Sequence, residues 1–138
     1  MGIQVYGFWR SIASFRVRAA LRLKRLPFEE ISIDILSGEQ FKPDYEAINV
    51  ERVVPTFIHD GHSIFQSLAI IEYLDDIQPE PRLADICIAG HVITGQYVKL
   101  GLDAFPAVAA LSERLFAIPA FATSHPYEQP DFKASASH

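Results

Sequence analysis

The residue best placed for chemistry is a serine. Ser11, within GFWRSIASFRVRAAL (residues 7–21), follows a short apolar run and precedes an arginine-studded stretch of helical spacing. At a helix start its hydroxyl either caps a backbone N–H or holds a reactive group at the mouth of a site. Unpartnered N–H groups and the helix dipole favour an anion at such a place. Two histidines, His59 and His62, straddle a turn and carry metal-binding donors, but no carboxylate or cysteine cluster completes a set. They read as surface hairpin residues, and no metal site is expected. The one cysteine, Cys87, lies in an apolar helical stretch and reads as core packing. Arg10, Ser11, Ile12 and Ala13 occupy the place where dithiol exchange would need C-x-x-C, and neither a G-x-S-x-G elbow nor a phosphate loop occurs.

The elements that must carry Ser11 follow from periodicity. Residues 3–7 are apolar enough for a buried strand, and residues 11–25 place Phe15, Val17, Ala20, Leu21 and Leu23 at helical spacing. Residues 28–35 alternate through Ile31, Ile33 and Ile35, predicting a second strand, and a polar helix is expected near residues 39–48. Strands over 53–58 and 62–65 flank Asp60-Gly61, the pair that suits a type I′ hairpin turn. Residues 67–76 form an amphipathic helix with Leu68, Ile71 and Leu74 on one side. The order βαβαββα, a parallel crossover followed by an antiparallel hairpin, is the thioredoxin-like arrangement, whose chemistry sits at the start of the first helix. After QPEPRL (residues 78–83) the pattern is helical only, over 84–96 and 107–117, with Pro106 at a first-turn position. The tail SHPYEQPDFKASASH is proline-broken and then polar, which predicts a surface or disordered segment. The expected division is a thioredoxin-like domain over 1–78, a linker over 79–83 and a partial all-helical domain over 84–138, giving an α/β plus all-α fold class.

Composition narrows the function classes. A chain of 138 residues, 49% hydrophobic and 21% charged, is globular in character. A net charge of −5 argues against a nucleic-acid or anionic-membrane partner, although half of the twelve basic residues fall between Arg10 and Arg25. On a helix, that cluster is expected to form a solvated face. A lone cysteine, no opening signal-peptide pattern and no long apolar run lead to the expectation of a reducing cytoplasm.

Four segments in order, WRSIASFRVRAALRLK (9–24), VVPT (53–56), FQSLAIIEYLDD (65–76) and PEPRL, resemble the zeta-class glutathione transferases, the class that includes maleylacetoacetate isomerase. A later block, from ADICIAG to SHPYEQPD, is similar to the end of that family's all-helical domain. The resemblance implies glutathione as the thiol cofactor, with Ser11 as the catalytic serine that stabilises its thiolate. A glutathione thiol resembles free cysteine, with a pKa of about 8.5, so only a few per cent is ionised at neutral pH. The resemblance further implies a cis Val54-Pro55 bond whose backbone pairs with the cysteinyl part, Gln66 and Ser67 on the γ-glutamyl end, and Gln40 near the glycine end. It also implies a small electrophilic substrate and a homodimer.

Several positions depart from the family pattern. Ile12 and Ala13 replace a second serine and a cysteine, Tyr97 aligns with an arginine expected to meet an acidic substrate, and Arg82 replaces a helix cap before Asp85. Two long helices are missing between Leu83 and Ala84, which would leave apolar sides of the first and third helices in search of a partner. Two functions therefore stand: a transferase whose glutathione thiolate adds to an electrophilic carbon or a cis-alkene, and a non-catalytic thioredoxin-like module that binds glutathione or a protein.

Overall fold

A computed structural model describes residues 2–79 and 83–132. A four-stranded sheet has the order β2-β1-β3-β4, formed by β1 (Ile3–Gly7), β2 (Phe28–Ser32), β3 (Thr56–His59) and β4 (His62–Phe65). β1 runs parallel to β2 and antiparallel to β3, and β3 is antiparallel to β4. The helices are α1 (Ile12–Leu23), α2 (Pro43–Glu46), α3 (Ser67–Ile77), α4 (Leu83–Tyr97), α5 (Pro106–Phe116) and α6 (Pro119–Ala122), with 3-10 turns at Glu39–Phe41 and Pro126–Glu128. This is the expected thioredoxin-like unit followed by helices, and α4 runs through the Leu83–Ala84 junction. No described helix is long and apolar enough to cross a membrane.

Packing explains why α1 lies at the centre. It packs against α3, α4 and α6. Val5 and Phe57 from the sheet, Phe15 and Ala19 from α1, and Ile70, Ile71 and Leu74 from α3 share one core with Ile86, Ala89 and Ile93 of α4 and Phe121 of α6. Gly90 permits the close α1–α4 approach, because a Cβ there would lie 3.1 Å from the Ile12 Cγ2. At the hairpin Asp60 and Gly61 have φ of 51° and 80°, the paired left-handed conformation that a type I′ turn requires.

Elsewhere the structure corrects the sequence expectations. The second strand ends at Ser32 rather than Ile35, because the Asp34 carboxylate accepts from the Leu36 and Ser37 amides and turns the chain. The polar helix expected over 39–48 divides into a 3-10 turn and the four-residue α2. Pro43 holds the preceding Lys42 extended, at ψ 142°. β3 begins at Thr56 rather than Val53, since Pro55 has no N–H to give a ladder. The basic stretch is no solvated face throughout: Arg18 and Lys24 are buried. Arg18 pairs with Glu30, and Lys24 with Asp75. Cys87 is half-buried rather than a core residue. Nor does α1 lie bare, since α4 and α6 cover it, while α3 exposes Leu68 and Ile77.

The tail departs furthest from expectation. Ser124, Pro126 and Gln129 are buried, and Phe132 packs edge-on against Trp9 with ring centroids 4.9 Å apart. The last residues of the expected tail, 133–138, lie outside the described residues, as does Arg82.

Candidate functional site at one end of the sheet

Strand register brings the sequence-predicted residues to a common edge. Tyr6 of β1 pairs with Thr56 of β3, which pairs in turn with Phe65 of β4, while Gly7 pairs with Ser32 of β2. Ser11 follows β1, Val54 and Pro55 precede β3, and Gln66 and Ser67 follow β4. All three segments therefore leave the sheet at the same end.

At the first of these segments the chain closes a turn in which the Ser11 amide donates to the Phe8 carbonyl (3.0 Å). Ser11 itself is the N-cap of α1, extended at φ −70° and ψ 119°, and its Oγ accepts from the Ser14 amide at 3.1 Å. Capping uses a lone pair of the hydroxyl. Its proton is still a donor, so the cap and a thiolate contact are compatible in one serine. The Ile12 and Ala13 amides of the first turn have no helical acceptor. Beneath them, the buried Ser14 Oγ accepts from the Phe8 amide at 3.3 Å. Gly7 leaves room for it: a Cβ there would stand 3.3 Å from that oxygen.

The second segment is braced from below. The Val54–Pro55 peptide bond is cis. Tyr45 and Asn49 both donate to the Val53 carbonyl, at 2.5 and 3.0 Å, and both meet the Thr56 Oγ1 at 2.8 Å. Asn49 and Thr56 are fully buried, and burial pushes the Tyr45 phenol up from its ordinary pKa. No local motif in the sequence marks Asn49 or Tyr45, because each serves a loop several residues away.

At the third segment Gln66 has φ 71° and ψ 115°, a region that a residue with a Cβ seldom enters, at a cost on the order of 1–3 kcal/mol. Its side-chain amide donates to Glu51 at 3.3 Å. Ser67 is 7% exposed and opens α3. The N-termini of α1 and α3 thus lie at the same end of the sheet, each offering unpartnered amides and positive partial charge. Such a pair suits a ligand with two separated anionic groups, one of them beside Ser11.

Gln40 stands apart. It lies on the 3-10 turn against α2, and its Oε1 is buried without a hydrogen-bond partner. A concavity of about 630 Å³ is lined by Gly2, Phe28, Ile58 and Gly61 at the opposite end of the sheet. It contains none of the chemistry just described.

Trp9, two residues before Ser11 in the chain, joins an aromatic cluster with Tyr97, Tyr127 and Phe132. The Tyr97 hydroxyl is buried without a partner, and burial followed by the neighbouring Tyr127 pushes its pKa up to about 12. Arg10 lies over the Tyr97 ring at 5.8 Å. His59 donates to or accepts from the Tyr73 hydroxyl at 2.7 Å and His62 is exposed, and no group of metal-binding side chains occurs among the described residues.

Residues 1–76 match the model of the glutathione S-transferase N-terminal domain. The maleylacetoacetate isomerase of Rattus norvegicus is 26% identical over 205 aligned residues, covering 94% of this chain and 95% of that protein. An alignment longer than the 138-residue chain means that this relative carries a long stretch without counterpart here. A probable maleylacetoacetate isomerase of Caenorhabditis elegans is 47% identical over 79 residues, 57% of this chain and 36% of that protein. The maleylacetoacetate isomerase of Methylobacterium extorquens AM1, solved with malonate and glutathione bound, superposes with a TM-score of 0.84 at 25% identity, covering 95% of this chain and all of that one.

Proposed function

The chain belongs to the glutathione S-transferase family, whose N-terminal domain its residues 1–76 match, and from that membership we propose that it is a glutathione transferase of zeta-like type. The carrying observation is the convergence at one sheet end of the Ser11 hydroxyl, the start of β3 and the N-terminus of α3. Glutathione fits those three features. Its γ-glutamyl carboxylate suits the amides of α3 beside Gln66 and Ser67, its cysteinyl backbone suits Val54 and Pro55, and its sulfur suits Ser11. The bound glutathione of the Methylobacterium relative supports the same ligand. Gln40 is assigned to the glycine end on the family pattern alone.

Ser11 does the chemical work in this reading. Its hydroxyl donates to the sulfur and favours the thiolate, and the first-turn amides of α1 add positive potential. The thiolate then forms a carbon–sulfur bond with an electrophilic carbon, expelling a leaving group. In the isomerase variant it adds to a cis-alkene conjugated to a carbonyl, and the π electrons move onto the carbonyl oxygen as an enolate. Rotation about the new single bond and expulsion of the thiolate give the trans product, with no net proton change. The names of the relatives support that variant. A homodimer and a cytoplasmic setting belong to the same proposal, as does a division at residues 79–83.

Conjugation of glutathione to chlorodinitrobenzene tests the reading. Activity that Ser11→Ala lowers by about 10-fold or more supports it. Retention on immobilised glutathione without conjugation favours instead a non-catalytic binding module, for which the apolar Ile12 and Ala13 and the unmatched stretch of the longer relative argue.

A further inference from the structure

The peptide of Trp9, two residues before Ser11, is gripped at both of its polar groups. Its N–H donates to the Asp131 Oδ2 at 2.9 Å, across 122 positions of sequence. The carbonyl of the same residue accepts from the Arg18 guanidinium at 3.2 Å. Arg18 is itself buried and anchored to Glu30 of β2 at 3.0 Å. The Asp131 Oδ2 also accepts from the Ser32 hydroxyl at 2.5 Å, so one oxygen ties the end of β2 to the loop after β1. The Trp9 ring, 5% exposed, is covered by Phe132 and Tyr127 from the same C-terminal segment. A turn bond from the Ser11 amide to the Phe8 carbonyl leaves little slack between the gripped peptide and the serine.

We propose that Asp131 is a positioning residue: its carboxylate, bridging Trp9 and Ser32, fixes the loop that sets the direction of the Ser11 hydroxyl. The inference rests on the transferase reading, and it gives the C-terminal segment a part in thiol activation that its sequence did not announce. Asp131 touches neither sulfur nor electrophile. It acts through the Trp9 peptide, and the carboxylate is needed as an acceptor more than as a charge.

Trp9 is the only tryptophan of the chain, so its fluorescence reports the grip without any ligand. Asp131→Ala is expected to raise acrylamide quenching of Trp9 several-fold, and Asp131→Asn, which keeps an acceptor oxygen, to restore most of the protection. In glutathione conjugation Asp131→Ala should lower kcat by about 10-fold, comparable to the loss of a charge-assisted hydrogen bond, and raise the pKa of the bound thiol while KM for glutathione stays near its original value. A merely structural role would lower the amount of folded protein and leave that thiol pKa in place. Ser32→Ala, which removes only one of the two donors, covers the case in which Asp131→Ala does not fold, and should shift both readouts in the same direction by less.

Unchanged Trp9 quenching in Asp131→Ala, or in Ser32→Ala where that is the folded variant, overturns the grip. Increased quenching with an unchanged bound-thiol pKa in an active enzyme overturns the positioning role and leaves the transferase reading intact. A wild-type chain that neither binds nor conjugates glutathione rejects the transferase reading and the positioning role with it.

Discussion

Replacing Ser11 by glycine separates two functions that alanine would confound. The side chain caps α1 through the Ser14 amide at 3.1 Å, and removing such a cap costs about 1 kcal/mol with alanine but only a few tenths with glycine. The hydroxyl proton has a second use in the proposed chemistry. A hydrogen bond to a charged group is worth about 1.5–3 kcal/mol, which at about 1.4 kcal/mol per pKa unit corresponds to a thiol acidified by one to two units. Ser11→Gly should therefore unfold within a degree or two of the parent, yet lose about 10- to 25-fold in kcat/KM for conjugation at neutral pH, the ratio of thiolate fractions that this shift implies for a thiol of pKa about 8.5. The ultraviolet absorbance of the thiolate, followed against pH with glutathione bound, should titrate one to two units higher than in the parent. Ser11→Thr keeps a hydroxyl at the cap and should recover part of the loss. Equal thiolate titration in Ser11→Gly and the parent would refute the reasoning, because the amides of α1 would then account for the ionisation without the hydroxyl.

Two further outcomes test the frame around the site. Asn49→Ala removes the donor to the Val53 carbonyl and the Thr56 hydroxyl in a fully buried position. It should cost about 1–3 kcal/mol in urea unfolding and raise KM for glutathione more than it lowers kcat. His125 is held neutral by burial, its pKa below the usual value, and its Nδ1 accepts from the Tyr127 amide at 3.3 Å. Since the folded pKa is depressed, this contribution is complete above the unfolded value of about 6.5 and is lost as pH falls from there through the folded value. Thermal melts should show that loss, and His125→Gln should flatten it.

The features legible in the sequence are those with local causes. Alternation and turn chemistry located the hairpin at Asp60-Gly61, and helical period located α1 and α3 to within a residue or two. Element order placed Ser11 at the start of the first helix, whereas Val54, Gln66 and Ser67 were marked only by the family resemblance, and it is the strand register that brings their segments to the same end of the sheet. What escaped has long-range causes. Arg18 looks like a solvated arginine until Glu30 and the Trp9 carbonyl arrive from other elements. The proline-broken tail looks mobile until Asp131 and Phe132 meet Trp9. Asn49 and Tyr45 have no signature, since what they satisfy is a carbonyl beyond α2. The shortness of α2 has a local cause, the extended conformation that Pro43 imposes on Lys42.

Glutathione added to isotope-labelled protein, with backbone amide shifts followed by NMR, puts the central claim to its most direct test. The account predicts that the perturbed amides cluster at residues 11–14, 54 and 56, and 66–69, with saturation at a stoichiometry of one per chain. Shifts confined to Gly2, Phe28, Ile58 and Gly61 at the far end of the sheet, or no shifts at all, would contradict it.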